Sequence, residues 1–249
     1  MSKEGPTPAM MQFYEMKRRY PGTVLFFQMG DFYETFGEDA EVVSQELEIT
    51  LTSRGRDSNG EKMPLAGVPI HAGELYIARL VRKGYRVAVC DQIEDPKKAK
   101  GIVKRDVVRI ITPGTIMDSA ILGSSGSSYL MSVFYDKKRA EYGIAFLDIS
   151  TGDFFISSCN ASVGFSDLNS EIAKYRPSEC IIPLLSVNDL SENLKNQGII
   201  ITPYTDSAFD LDSAEKYLKE HLKVSSLEGY GCLGMDASIR AAGACLSYA

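Results

Sequence analysis

The sequence predicts an α/β protein of two domains, each built from a sheet and surrounding helices. The chain has 249 residues, 44% hydrophobic and 24% charged, an ordinary globular composition with enough length for two medium domains. Short runs of strand-forming residues alternate with segments of helical spacing. The flexible stretch GSSGSS ends at residue 128, so we expect domains over residues 1–115 and 129–249, joined by a linker over residues 116–128.

Charge is distributed unevenly between these two parts. The formal net charge is -6, but residues 1–115 hold 17 Lys and Arg against 16 Asp and Glu, whereas residues 116–249 hold 10 against 17. The first part therefore carries +1 and the second -7. Only the first part is suited to approach a phosphate backbone, because the acidic part is repelled by it.

Composition also argues against membrane, secreted and zinc proteins. We find neither a run of 18 apolar residues nor an apolar stretch after a basic N-terminus, so we expect no membrane span and no secretory signal, and a cytoplasmic location. The five cysteines form no C-x-x-C pair and are expected to be buried, reduced thiols. With His71 and His221 as the two histidines, zinc ligands are few, and we predict no metal site.

The first domain is predicted to be a mixed sheet with helices. Thr7 and Pro8 supply the cap and first position of a helix whose apolar residues recur every three or four positions until Pro21. Further helices are predicted around residues 40–47 and 77–81 by the same spacing. Runs of apolar, β-branched or aromatic residues predict strands over residues 24–28, 48–52, 86–90 and 107–112, the first continuing as extended chain to residue 36.

The second domain is predicted to have the element order βββαβαβα. Strands are expected over residues 129–135, 142–150, 152–157, 180–182 and 199–202. Helices are expected around residues 168–175 and 187–194, followed by one capped by Asp212 with Glu215 three residues later. This order is typical of a ribonuclease-H-like domain. The last helix begins at Asp236 and has no stop signal before residue 249, so we expect a longer parent protein.

The residues GDFYE at positions 30–34 are the most unusual local feature. In an extended strand, residues two apart project from the same face about 6.6 Å apart, so Phe32 and Glu34 point together while Tyr33 points back into the domain. Gly30 permits a bulge or turn that presents this edge. Taken alone, the pattern also fits an ordinary core Phe beside a solvated Glu.

Three motifs, in order, resemble signatures of the MutS family of DNA mismatch-repair proteins: GDFYETF at residues 30–36, LAGVPIHA at 65–72 and VVRIITPGT at 107–115. The resemblance covers nearly the whole chain. It implies a mismatch-recognition domain to about residue 115, followed by a connector domain that is ribonuclease-H-like in this family.

The resemblance implies that Phe32 is a wedge inserted from the minor groove beside a mispaired base, and that Glu34 hydrogen-bonds that base. An apolar ring between base steps costs a few kcal/mol of unstacking, and the cost is smallest where pairing is already defective. The wedge would therefore select mismatched or unpaired bases by their deformability and leave the DNA kinked.

Glu34 needs a separate argument, because a carboxylate facing a polyanion is repelled. It contributes only where it meets a base donor, or where it is protonated and donates to a purine N7. We therefore hypothesise that Glu34 improves discrimination between mismatched and paired duplexes while it lowers general affinity for DNA.

Basic residues of the first domain are candidates for contacts with the DNA backbone. The resemblance favours Arg54 and Arg105, and Lys104 lies beside Arg105 in a lysine-rich loop over residues 97–105. Met29 is a candidate for padding the wedge, although an apolar strand residue is more often part of a core.

Two alternative functions stay open for the second domain. A ribonuclease-H-like domain can be a metal-dependent nuclease, which needs several carboxylates converging on two divalent ions. Asp136, Asp148 and Asp153 lie on or between its first strands, but Asp136 and Asp153 are better explained as turn residues. The acidic domain is alternatively a protein-docking module only.

The resemblance also implies partners and cofactors. It predicts binding to mismatched double-stranded DNA, with a connector that meets a MutL-type partner and couples recognition to an ATPase. The chain has no G-x-x-x-x-G-K-[ST] loop, so we expect a binding module without cofactor or enzyme activity, and ATP and Mg²⁺ in the C-terminal part of the parent. Homodimers are expected for the parent, and a monomer for this chain.

Overall fold

The computed structural model describes residues 7–56, 61–95, 101–115, 129–186 and 189–249. Its internal contacts divide the chain into two units, Met1–Thr112 and Pro113–Ala249, each of which is described by itself. The predicted linker over residues 116–128 and the lysines before residue 101 in the predicted basic loop lie outside the described residues.

The first unit contains a six-stranded mixed sheet. Its strands are β1 (Val24–Met29), β2 (Phe32–Phe36), β3 (Thr52–Arg56), β4 (Lys62–Pro69), β5 (Val87–Gln92) and β6 (Arg105–Ile111). The sheet order is β3-β4-β2-β1-β5-β6, with β1 parallel to β5 and all other neighbours antiparallel. Its helices are α1 (Pro8–Arg19), α2 (Glu38–Leu47) and α3 (Gly73–Arg82).

Helix α1 covers part of one face of this sheet. The Thr7 side chain accepts a hydrogen bond from the Met10 backbone N–H, which confirms the predicted cap. Phe13 and Met16 on the buried side of α1 belong to one core cluster with Phe27 of β1. Strand alternation places Phe32 and Glu34 on this same sheet face, beyond the buried cluster.

Two strand predictions for the first unit were wrong. The strand predicted over residues 48–52 begins instead at Thr52, because Glu48 ends α2 in the left-handed conformation at φ 55°. Strand β4 has no counterpart among the predicted strands, because Pro64 and Gly67 interrupt its apolar pattern.

The second unit has a five-stranded mixed sheet in the order β11-β10-β7-β8-β9. Strands β7 (Tyr129–Asp136), β8 (Glu141–Asp148) and β9 (Asp153–Asn160) form an antiparallel meander. Strands β10 (Glu179–Pro183) and β11 (Ile200–Tyr204) then extend the sheet parallel to β7. This arrangement agrees with the predicted ribonuclease-H-like fold.

Helices cover both faces of the second sheet. Their bounds are α4 (Ser166–Tyr175), α5 (Asp189–Asn196), α6 (Leu211–Leu222) and α7 (Asp236–Tyr248). Leu168 and Leu194 of α4 and α5 pack in one core cluster, and Leu218 and Ala242 of α6 and α7 pack in the other. The cap of α6 is Asp210, whose carboxylate accepts from the Ser213 N–H, and not the predicted Asp212.

The five cysteines are free and buried, as predicted. Among the described helices, none combines the length and the hydropathy needed to cross a bilayer.

Candidate nucleic-acid interface

The candidate site begins at the tight hairpin between β1 and β2. Met29 pairs with Phe32 across a two-residue turn, in which Gly30 has φ 61°. A positive φ at the first turn position is the requirement of a type II′ hairpin, which glycine meets without strain. The Asp31 carbonyl accepts from the Ile70 N–H at 2.9 Å, so the turn is also tied to the end of β4.

Phe32 is a large apolar side chain left 46% exposed at the start of a central strand. Strand β2 is hydrogen-bonded to β1 on one side and to β4 on the other, with Phe32 paired to Met29 and Pro69. Met29 is half-buried and packs against the core cluster of α1 and β1. The exposed ring therefore stands on rigid backbone beside a partly buried Met, and not on a mobile loop.

Tyr33 fixes β2 from the opposite face. Its ring is buried, and its hydroxyl donates to the Asp91 carboxylate at 2.8 Å. Burial, and then the hydrogen bond to Asp91, raise the pKa of Tyr33. A Cβ added to Gly73, the first residue of α3, would lie 2.9 Å from two atoms of the ring. Because side chains alternate along β2, Phe32 and Glu34 project together from the face opposite Tyr33, as predicted.

Glu34 is enclosed and incompletely paired. Its side chain is 15% exposed, and Oε1 lies 3.5 Å from Nη1 of Arg54. Oε2 is buried and has no hydrogen-bond partner among the described residues. Burial raises the pKa of the Glu34 carboxyl, and the charge of Arg54 opposes that rise. The carboxyl therefore keeps one oxygen unsatisfied two residues from Phe32.

Arg54 and Lys104 are both exposed, but they lie at different edges of the sheet. Arg54 is on the edge strand β3, with its side chain 65% exposed, and it reaches across β4 to Glu34. Lys104 precedes β6, the other edge strand, which is three strands from β2 or about 14 Å away. The structure brings Phe32, Met29, Glu34 and Arg54 together, and Lys104 lies apart from them.

Arg105, which was predicted to contact the DNA backbone, is buried in this structure. Arg105 is 7% exposed, its Nε donates to the Gln28 carbonyl at 2.6 Å, and its Nη1 donates to the Val103 carbonyl at 2.9 Å. The guanidinium also lies 5.1 Å from the ring centroid of Phe27, and burial lowers the pKa of Arg105. Two of its side-chain nitrogens are thus bonded to backbone carbonyls, which gives it a structural role in this unit.

Two glycines with no predicted role lie against the site, and only Gly73 is required there by a close contact. Gly67 pairs with Glu34 across β4, where an added Cβ would lie 3.6 Å from the Glu34 Cγ. Gly73 gives Tyr33 its space on the other face. The signal for Gly67 was a glycine inside an apolar strand pattern, which often marks a close approach.

The carboxylates considered for a nuclease do not converge. Asp148 pairs with Asp153 at one end of the meander, whereas Asp136 lies at the other end, seven residues or about 23 Å along β7. Asp136 accepts from the backbone N–H groups of its own turn, at Lys138 and Arg139. Within the described ranges, no group of three or more potential metal ligands occurs. The geometry therefore gives no support to two-metal chemistry.

In comparisons with known proteins, both units match domains of the same family. Residues 7–120 match the family model of MutS domain I, and residues 128–249 match that of MutS domain II. The chain is 49% identical over 245 residues to the DNA mismatch repair protein MutS of Methanococcoides burtonii, covering 98% of the chain and 27% of that protein. It is 41% identical over 244 residues to the protein of the same name from Symbiobacterium thermophilum, covering 97% and 28%. The chain thus spans little more than a quarter of these curated relatives.

Proposed function

The chain belongs to the MutS family of DNA mismatch-repair proteins, and from this premise we propose that its first unit recognises mismatched or unpaired bases in duplex DNA. The observation that carries the proposal is the pairing of a half-exposed Phe32 with an incompletely satisfied Glu34 on one face of a strand held from both sides.

Phe32 acts as the wedge in this proposal. Its ring enters the minor groove and separates two base steps, at a cost that is lowest beside a mispair. Support comes from the rigid backbone beneath the ring, because a wedge on a mobile loop would fold back before it could unstack DNA. The bound duplex is kinked at the site of insertion.

Glu34 supplies the discrimination. A hydrogen bond to the mispaired base satisfies the oxygen that folding leaves without a partner. On a paired duplex no base is accessible to hydrogen-bond with Glu34, and the carboxylate repels the phosphates. Glu34 therefore lowers affinity for paired DNA more than it lowers affinity for mismatched DNA.

We further propose that the second unit connects recognition to the rest of a full-length family member. Its acidic composition is unsuited to following phosphates, and the exposed neighbours Leu184 and Leu185 after β10 suit contact with a protein, for which we propose a MutL-type partner. ATP and Mg²⁺ binding, the ATPase and homodimerisation are proposed for the full-length protein, and a binding role for this chain.

The test compares binding of mismatched and paired duplexes by fluorescence anisotropy at low salt, where weak phosphate contacts still hold. We expect the wild-type chain to prefer the mismatched duplex and Phe32→Ala to lose that preference. Leu75→Ala is the matched control, since it removes an exposed apolar side chain from α3 on the other face. An unchanged affinity ratio in Phe32→Ala would overturn the proposal.

A further inference from the structure

Arg54 is placed where two anionic groups, the Glu34 carboxylate and a DNA phosphate, could compete for its guanidinium. Its Nη1 lies 3.5 Å from Oε1 of Glu34, while most of its side chain is exposed at the edge of the sheet. A guanidinium at this edge is also within the reach of a DNA phosphate, if DNA occupies the face that carries Phe32. Because bidentate pairing with a phosphate is favourable for arginine, the phosphate competes with Glu34 for the same donors.

We propose that Arg54 is a positioning residue that controls the state of Glu34: it holds the carboxylate in the free protein and releases it when a phosphate takes the guanidinium. The released carboxyl takes up a proton from solvent and donates it in a hydrogen bond to an acceptor on the mispaired base. This inference rests on the proposed function of Phe32 and Glu34 and adds Arg54 to the specificity of that site.

Among the neighbours of Glu34, Arg54 is the charged group that acts on the pKa of its carboxyl. Its paired neighbours on β1 and β4 are Phe27 and Gly67, which have no charge. Arg105, whose guanidinium lies against the Phe27 ring, is held by the carbonyls of Gln28 and Val103. Arg54 is the charge that lowers the pKa of Glu34 against the effect of burial. When a phosphate pairs with Arg54, the effect of burial, which raises the pKa of Glu34, is no longer opposed by the charge of Arg54.

The exchange of Glu34 for a phosphate on Arg54 would allow the site to distinguish mismatched from paired duplexes. On a paired duplex without an inserted wedge, Glu34 stays an anion that is ion-paired with Arg54 and repels the backbone. At a mismatch, the wedge brings the base to the carboxyl, which can donate to a purine N7 only in its neutral form. Arg54 therefore influences specificity through Glu34, whereas a simple phosphate contact would strengthen binding to both duplexes equally.

The first experiment follows the ¹³C shift of the Glu34 carboxyl by NMR during a pH titration of the chain without DNA. We expect Arg54→Gln to move the titration midpoint of Glu34 to higher pH and Arg54→Lys to restore most of the wild-type value. Arg82→Gln, which removes an exposed arginine at the end of α3, should leave the midpoint unchanged. A midpoint that Arg54→Gln does not move would overturn the inference.

The second experiment is a double-mutant cycle on the ratio of affinities for mismatched and paired duplexes. We expect Arg54→Gln to lower the ratio by roughly five-fold in the wild-type background, typical of residues in contact, and to leave it unchanged in the Glu34→Gln background. Equal changes in both backgrounds, or none in either, would show that Arg54 only contacts phosphate. If Phe32→Ala and Glu34→Gln also leave the ratio unchanged, the proposed function itself fails.

Discussion

We expect Glu34 to lower the stability of the unit that contains it. One of its carboxyl oxygens is buried without a hydrogen-bond partner among the described residues, and its ion pair with Arg54 is long at 3.5 Å. A buried charge that is incompletely paired disfavours the folded state. Residues of this kind persist where binding needs them, so the instability of Glu34 itself supports a role in recognition.

The substitution Glu34→Gln should stabilise the first unit at neutral pH. The pKa of Glu34 is raised on folding, so the folded state binds more protons than the unfolded state, and stability falls as pH rises above the ordinary glutamate value of about 4.3. Thermal unfolding should show a higher melting temperature for Glu34→Gln near pH 7 and little change near pH 3.5, below that ordinary value.

A suitable control for this prediction is Glu15→Gln, which neutralises an exposed carboxylate on α1. It should change stability little at either pH, because a solvated charge loses little on folding. An equal gain for Glu34→Gln at both pH values would mean that packing of the amide, and not removal of the charge, stabilises the unit.

Arg54 and Arg105 show what sequence could and could not predict about single residues. Both were predicted to contact DNA, yet the side chain of Arg54 is 65% exposed and Arg105 is 7% exposed. Gln12 of α1 donates to the Val103 carbonyl and accepts from the Arg105 N–H, and so holds this segment against α1. Gln12 and Val103 are 91 positions apart in the sequence, so no local pattern reveals that contact.

At the scale of elements, the position of β2 depends on how α3 packs behind it. Gly73 at the start of α3 approaches the ring of Tyr33 so closely that no side chain fits without movement. The ring cannot move easily, since it is buried and its hydroxyl is bonded to Asp91. The face that carries Phe32 and Glu34 is thus fixed by a contact on the opposite face.

Gly73→Ala should therefore destabilise the first unit by roughly 1–3 kcal/mol, the usual cost of overpacking. Urea unfolding measures this loss. Gly229→Ala is the control, because an added Cβ there meets no atom within 4 Å. If Gly73→Ala lost no more stability than Gly229→Ala, the close contact with the Tyr33 ring would not be the cause of the loss.

In the second unit, one buried carboxylate joins three separate segments. Glu179 on β10 is wholly buried and accepts from the Gly114 N–H at 2.9 Å, the Thr202 hydroxyl at 2.6 Å and the Tyr248 hydroxyl at 2.7 Å. These donors come from the segment before the predicted linker, from β11 and from the end of α7. Glu179 thus fixes both ends of the described second unit to its central sheet.

Glu179→Ala should destabilise the second unit by about 3 kcal/mol or more, because it leaves three donors without their acceptor. Tyr248→Phe removes one of the three bonds and should cost about 1 kcal/mol. Both losses are measured by urea unfolding, with amide hydrogen exchange in β10 and β11 reporting on the second unit. A loss no larger for Glu179→Ala than for Tyr248→Phe would contradict the joining role of the carboxylate.

At the scale of the molecule, the pattern of elements was predictable because it depends on local spacing. Short runs of strand-forming residues predict the meander of β7, β8 and β9. The elements after it follow from such runs alternating with segments of helical spacing. Strand β4 was not predictable in this way, because its Pro64 and Gly67 are tolerated only through pairing with β2 and β3. The pairing of Glu34 with Arg54 likewise depends on the sheet order, which local patterns do not contain.

The net charge of -6 misleads when it is applied to the whole chain. It averages a nearly neutral first part, which carries Phe32 and Glu34, with an acidic second part. Each unit has its own core clusters and its own sheet, so each charge balance belongs to a separate surface. Affinity for a polyanion is therefore expected of the first unit alone.

The central claim is that the ring of Phe32 separates base steps at a mismatch. The most direct test is the fluorescence of 2-aminopurine placed next to a mispair, because unstacking this base raises its emission. At protein concentrations that saturate the duplex, we predict increased emission with the wild-type chain, and little increase with Phe32→Ala or with a paired duplex. An equal increase with Phe32→Ala would contradict the account.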